Sequence, residues 1–206
     1  MKIYTGTAGG CKEKIENVKR LDLGFCVSAD PDKAYKNISC FVDNGAFEAW
    51  RRGLPWSENR FMALLDKFYT CGLSADFVVC PDIVMGGMDS FDFSMSWAPR
   101  LRPARLALAV QDGMDFNIID CRVKKLFTHI FVGGSVSWKW QTAKEWGSVA
   151  HKNSMKLHIG RCGTLARLRQ AVDCGADSVD STSWIRNESW HILEEFLKPQ
   201  QERLEI

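Results

Sequence analysis

Short apolar runs recur along the chain, each followed by polar or glycine residues and then by a stretch with helical spacing. The runs are KIYT (2–5), FCVS (25–28), SCFVD (39–43), DFVVCPD (76–82), LALAVQ (106–111), IFVGG (130–134), LHIG (157–160) and SVDS (178–181). Most are continuously apolar rather than alternating, the pattern of parallel strands buried on both faces. Between them, residues 57–72 place Phe61, Leu64, Leu65 and Phe68 on one face, with Ser57 as a candidate cap and Gly72 as a stop. Residues 164–175 repeat the pattern with Thr164 as cap, Leu165, Leu168, Ala171 and Val172 on one face, and Gly175 past the end. Further helices are predicted over 89–98, 115–125, 142–152 and 188–198. Eight strands alternating with helices predict an α/β protein, a (β/α)8 TIM barrel. The usual size of that fold is roughly 250 residues, so a chain of 206 makes a trimmed version. A doubly wound open sheet is the rival architecture.

Composition narrows this picture only slightly. Apolar residues make up 46% and charged residues 25%, ordinary values for a globular chain, and no low-complexity linker divides it, so one domain over 1–206 is expected. A net charge of +2 does not announce nucleic-acid binding, which would need a local basic patch. The N-terminal MKIYTGTAGG has no apolar signal-like region and no run approaches a membrane span, so a soluble, cytoplasmic protein is expected. The eight cysteines, at 11, 26, 40, 71, 80, 121, 162 and 174, form no CxxC pair. They read as reduced, partly core-packed thiols rather than zinc ligands.

In such a barrel the chemistry gathers at the C-terminal ends of the strands. That edge here reads Asp43-Asn44-Gly45, Pro81-Asp82, Gln111-Asp112-Gly113, Gly133-Gly134-Ser135, His158-Gly160-Arg161 and Asp180-Ser181. Any single acid in this set could be a helix cap or a turn residue. Three of them, Asp43, Asp82 and Asp180, together with Gln111, suit a pocket holding a nucleophile and a general base. Gly133-Gly134-Ser135 and Gly160-Arg161-Cys162-Gly163-Thr164 are candidate anion-binding loops, although ordinary strand-to-helix turns look the same. The four histidines have no metal-ligand spacing, and only His158 lies on the functional edge. Basic residues cluster at Arg51-Arg52, beside the first motif, at Arg100, Arg102 and Arg105, and at Lys124-Lys125. Trp138-Lys139-Trp140 interleaves charge with aromatics. Solvated faces explain most of these clusters, and Arg51-Arg52 is the exception because it adjoins the pocket.

The ordered edge set resembles the tRNA-guanine transglycosylase superfamily, enzymes that exchange a guanine in a polynucleotide for a 7-deazaguanine. Asp43-Asn44-Gly45-Ala46-Phe47 is similar to the family's Asp-Ser-Gly-Gly-aromatic motif. Asp82 falls at the base-recognising aspartate, Gln111-Asp112-Gly113 resembles the Gln-Gly segment, and Phe131-Val132-Gly133-Gly134-Ser135 the Gly-Gly loop. His158-Ile159-Gly160 and Gly175-Ala176-Asp177-Ser178-Val179-Asp180 match the closing pattern, whose last Asp is the nucleophile. The likeness spans residues 39 to 187. It departs where Ser181-Thr182-Ser183-Trp184 replaces the family's Pro-Thr-Arg. The chain also ends with HILEEFLKPQQERLEI, where the tRNA enzymes carry a zinc subdomain. It therefore looks like the compact DNA-modifying type of phage and bacterial 7-deazaguanine systems, with DNA as the expected partner and tRNA the alternative. If phage-encoded, it would act in the host cytoplasm.

The resemblance implies a role for each residue. Asp180 attacks C1′ of the target guanosine, and Asp43 takes the N9 proton of the incoming base. Asp82, Gln111, Asn44, His158 and the Gly133-Gly134 backbone recognise the base, and Phe47 stacks on it. Arg51, Arg52 and Arg161 contact nucleic acid. No metal or other cofactor is implied, and a target in a duplex must be flipped out. Two rival functions remain open. A small-molecule nucleoside or phosphoribosyl transferase would act without polynucleotide, and a non-catalytic base- or partner-binding subunit of a modification complex would exchange nothing.

Overall fold

A computed structural model of the protein describes residues 1–101 and 104–198. Arg102 of the second basic cluster and the last eight residues of the HILEEFLKPQQERLEI segment lie outside these. The strands are β1 (Lys2–Gly6), β2 (Gly24–Val27), β3 (Cys40–Val42), β4 (Val78–Val79), β5 (Leu106–Val110), β6 (Phe127–Val132), β7 (Lys156–Ile159) and β8 (Ser178–Ser181). All pair in parallel and in sequence order, and β8 returns to β1 with Ile3 opposite Val179, which closes the barrel. That pairing excludes the open sheet.

Burial on both faces explains the continuous apolar runs. Ile3, Phe25, Val27, Val42, Leu108, Ile130, Leu157 and Val179 belong to the outer core against the helices. Their neighbours Tyr4, Cys26, Phe41, Phe77, Val79, Ala107, Ala109 and Phe131 form a separate cluster inside the barrel. The interior is filled by rings: Phe41 stacks on Phe77 at 4.7 Å between centroids, and Phe77 on His129 at 4.5 Å. Small side chains at Cys26, Ala107 and Ala109 leave the volume that those rings occupy.

The helices are α1 (Lys12–Arg20), α2 (Ala46–Arg51), α3 (Glu58–Thr70), α4 (Gly87–Trp97), α5 (Cys121–Leu126), α6 (Val136–Lys152), α7 (Leu165–Asp173), α8 (Ser183–Arg186) and α9 (Trp190–Leu197). The Ser57 and Thr164 hydroxyls cap α3 and α7, accepting from the Arg60 and Arg167 N–H groups. Gly175, at φ +77°, ends α7. Its N–H donates to Val172 and that of Ala176 to Ala171, which satisfies the last carbonyls.

Several boundaries differ from the sequence reading. The run 76–82 gives only a two-residue β4, because its last residues turn into the mouth of the barrel. The helix expected over 115–125 is a 3-10 turn at Phe116–Ile118 followed by α5, which Asp120 caps. Helix α6 starts six residues before the predicted 142, at the Ser135 cap. No α-helix separates β2 from β3, where only a 3-10 turn lies among the described residues. All eight cysteines are free, and Cys26, Cys40, Cys80, Cys162 and Cys174 are buried. No helix of the described residues is long and apolar enough to cross a membrane.

The packing of α6 gives a sharp test. A Cβ on Gly147 would lie 2.2 Å from the Cys174 carbonyl oxygen, a backbone atom that cannot swing aside. Gly147→Ala should therefore destabilise the protein by about 3 kcal/mol, despite a helix-propensity gain near 1 kcal/mol. The melting temperature should fall by roughly 6–12 °C, and an unchanged melt would contradict this packing.

Candidate active site at the barrel mouth

The turn after β3 places Asp43, Asn44 and Gly45 at the mouth, and Gly45, at φ +76°, begins α2. Nothing lies within 4 Å of a Cβ built there, so backbone conformation rather than crowding demands the glycine. Asp43 Oδ1 accepts the Gly45 N–H at 2.7 Å, which leaves the second oxygen uncommitted to this turn. Burial pushes the Asp43 pKa up to about 6, with the Gly45 hydrogen bond opposing and the Asp180 carboxylate adding to the rise. Asp43 thus feels the charge of Asp180, 137 positions away in sequence, across the mouth. Both also raise the pKa of the Cys26 thiol, whose first cause is its own burial.

Asp180 stands in β8 above the ring-filled interior. Its Oδ1 is 3.0 Å from His158 Nε2, and His158 Nδ1 is 2.8 Å from the Ser178 hydroxyl. Burial lowers the His158 pKa against the pull of Asp180, so the ring is neutral. A neutral ring that donates from Nε2 to Asp180 has Nδ1 free to accept from the Ser178 hydroxyl. His158 is 0% exposed, with its ring stacked on Phe131 at 4.7 Å. The sequence reading gave it to base recognition; the structure sets it beneath Asp180, where it orients the carboxylate. Gly160 completes this wall, since a Cβ would sit 3.2 Å from Asp180 Oδ1 and 2.9 Å from the Phe131 ring.

Asp82 lies between two amides. Asn44 Nδ2 donates to its Oδ1 at 2.6 Å, and Gln111 Nε2 donates to its Oδ2. Burial pushes its pKa up to about 7 against the Asn44 hydrogen bond, and the Asp43 charge adds to the rise. Each oxygen keeps one further lone pair. Asn44 is committed elsewhere too: its second donated bond reaches the Cys80 carbonyl at 2.8 Å, and its Oδ1 accepts the Ala46 N–H. It therefore positions Asp82 and starts α2 rather than donating to a base. Gln111 Oε1 accepts the Met85 N–H and one Nε2 hydrogen is left over.

The Gly133-Gly134-Ser135 loop is not an open anion site. Asp112 already occupies it, accepting the Ser135 N–H at 2.7 Å and the Ser135 hydroxyl at 2.5 Å. The Gly133 N–H donates to Val110 in the barrel ladder. Among the described residues only the Gly134 N–H of this pair lacks a partner, and a Cβ on Gly134 would collide with Asp112. Asp112 was absent from the candidate residues, although its position after Gln111 put it on the same edge.

Phe47 is 37% exposed at the rim, with the Arg161 guanidinium 4.4 Å from its ring centroid. Arg161 also donates to the Gly134 carbonyl at 2.6 Å, and burial lowers its pKa. Arg161 (φ +63°) and the exposed Met85 (φ +58°) both hold left-handed backbone at the mouth, a strain that non-glycine residues rarely carry. Arg51 and Arg52 are exposed and both pair with Glu48, at 2.8 and 2.6 Å. Arg161 is thus the guanidinium that reaches Phe47. Trp50 in α2, Leu54, Ile83 and Met85 in the connecting loops, and Met88 in α4 add exposed apolar surface on the segments that follow β3 and β4.

Lys139 corrects the reading of Trp138-Lys139-Trp140 as a solvated charged face, although Trp138 and Trp140 are partly buried as that reading held. Lys139 is 2% exposed and donates to the Gly160 carbonyl at 2.6 Å. Burial first, then the neighbouring Arg161 charge, bring its pKa down to about 7. Counting helical turns from the Ser135 cap would have found it, because Lys139, Ala143, Trp146 and Ala150 share one face.

A buried carboxylate held by a neutral imidazole, a second carboxylate of raised pKa, and a third held by two amides can together support nucleophilic and acid–base chemistry on a flat polar ligand. No family model matches the chain, and neither does any curated protein.

Proposed function

We propose that the protein is a base-exchange glycosyltransferase that replaces guanine in a polynucleotide, DNA before tRNA, with a 7-deazaguanine. The observation that carries this reading is the position of Asp43 just after β3 and of Asp180 in β8 at one barrel mouth, with Asp82 beside them between the Asn44 and Gln111 amides. Asp180, fixed through one oxygen by His158, attacks C1′ with the other. The C1′–N9 bond breaks, and its electron pair leaves on guanine N9, which takes a proton from Asp43. The incoming base gives its own N9 proton to Asp43 as that nitrogen attacks C1′ and expels the Asp180 carboxylate. Asp82 accepts from the N–H edge of the base through its remaining lone pairs. The spare Gln111 N–H and the Gly134 N–H face the task of donating to its carbonyl. Phe47 and the exposed apolar residues around it suit the faces of unstacked bases.

Incubation with radiolabelled guanine and separate DNA and tRNA samples tests the reading. Label should enter DNA, and entry into tRNA alone would reassign the polynucleotide. Label in neither, across buffers and salt concentrations, would contradict exchange activity and favour a binding subunit.

A further inference from the structure

Immediately beyond Asp180, a groove of about 400 Å³ opens between the ends of β7 and β8. Its walls include Arg161, Gly163, Thr164, Arg167, Ser181 and Ser183. The Arg167 charge disfavours that of Arg161, and both disfavour the charge on Lys139 behind them. No carboxylate of the described residues lies within ion-pair distance of any of the three. The Arg167 guanidinium makes no side-chain hydrogen bond among the described residues. Asp180 and Asp112 partly offset these charges without touching them, and an anion in direct contact would relieve the repulsion that remains.

The rest of the groove supplies donors and space. Thr164 Oγ1 accepts the Arg167 N–H at 3.3 Å, which leaves its own proton free to donate. The Ser181 and Ser183 hydroxyls share one hydrogen bond at 2.7 Å, so one of their two protons remains available. A Cβ on Gly163 would lie 2.5 Å from Ser183 Oγ and 2.9 Å from Ser181 Oγ, filling the floor of the groove. Planar guanidinium forks beside hydroxyl donors match the tetrahedral oxygens of a phosphate ester.

We infer that this groove binds a phosphate of the substrate, next to the nucleoside whose C1′ faces Asp180, with Arg167 as its main contact. This rests on Asp180 as the site of attack. The phosphate is the diester of a polynucleotide or the monoester of a free nucleotide, and the test separates these sources.

The test measures binding of a fluorescent guanosine-containing single-stranded oligonucleotide across a salt series. Arg167→Gln should weaken binding about 10-fold and reduce the slope of log affinity against log salt by about 1. Arg167→Lys should recover most of the loss. Arg169→Gln removes the same charge from the same helix outside the groove, and should have less than about a twofold effect. Melting curves should show all three variants folded. Equal effects of the Arg167 and Arg169 substitutions to Gln, or no effect of either, would overturn the assignment. Competition by GMP but not guanosine, lost in Arg167→Gln, identifies the monoester; binding of the oligonucleotide without competition by GMP identifies the diester. Arg167-dependent binding without base exchange would reject the transglycosylase and keep the groove. Base exchange with unaltered kinetics and salt slope in Arg167→Gln would do the reverse.

Discussion

Replacing Asp180 by Asn should lower the rate of base exchange by at least about 10⁴-fold, while the protein remains folded. The loss follows from chemistry, since an amide oxygen does not form the glycosyl ester that a carboxylate forms. The fold should survive because Asn keeps an oxygen to accept from His158 Nε2, which donates at 3.0 Å in the native site. Asp180→Ala should lose activity to the same extent. It also strands a buried imidazole N–H, at a cost of about 1–3 kcal/mol, so its melting temperature should fall where that of the Asn variant does not. Steady-state exchange assays beside thermal melts check both. An Asn variant that retains more than about a tenth of wild-type activity would remove Asp180 from the chemistry.

Asp43→Asn should combine the second-largest loss of activity with a gain of stability. Removing the acid–base group should slow exchange by about 10²–10⁴-fold. The native carboxyl has a pKa raised to about 6, chiefly by burial. A raised acid pKa means that the folded state holds the proton more tightly than the unfolded chain. Ionisation therefore costs the fold progressively as pH rises from about 4 to about 6, and the cost is constant above that. Asn removes it and still accepts the Gly45 N–H that Asp43 Oδ1 accepts. The variant should be about 1–3 kcal/mol more stable than wild type at pH 8. The difference should shrink to nothing near pH 4, as denaturant titrations at several pH values would show. In the wild type, kcat/KM for the incoming base should fall as pH drops below an apparent pKa at or somewhat under 6, because esterified Asp180 no longer repels Asp43. A variant that is less stable than wild type at pH 8 would contradict the strain assigned to Asp43.

Much of this site was legible in the chain because parallel strands announce both their apolar interiors and their polar ends. Asp43, Asp82, Gln111 and Asp180 each follow an apolar run, and all four stand at the mouth. Pairing between neighbours was harder to read, since it depends on distances that one strand does not encode. Asn44 looked like a donor to the ligand, yet Asp82, Cys80 and Ala46 take up its polar atoms. His158 stood on the functional edge, yet strand alternation turns it into the barrel beneath Asp180. The Gly133-Gly134-Ser135 loop looked ready for an anion, and the chain supplies its own in Asp112. Lys139 was hidden by a late estimate of where α6 begins, a boundary set by the Ser135 cap rather than by apolar spacing. Helix α2 was missed because its six residues are too few to show a period.

Mass spectrometry of the protein, denatured after incubation with a guanosine-containing single-stranded oligonucleotide, tests the central claim most directly. A covalent adduct equal to the oligonucleotide less guanine should map to the peptide carrying Asp180, disappear on addition of excess free guanine before denaturation, and be absent from Asp180→Asn. Base exchange that proceeds with no adduct on Asp180, or an adduct that persists in Asp180→Asn, would contradict it.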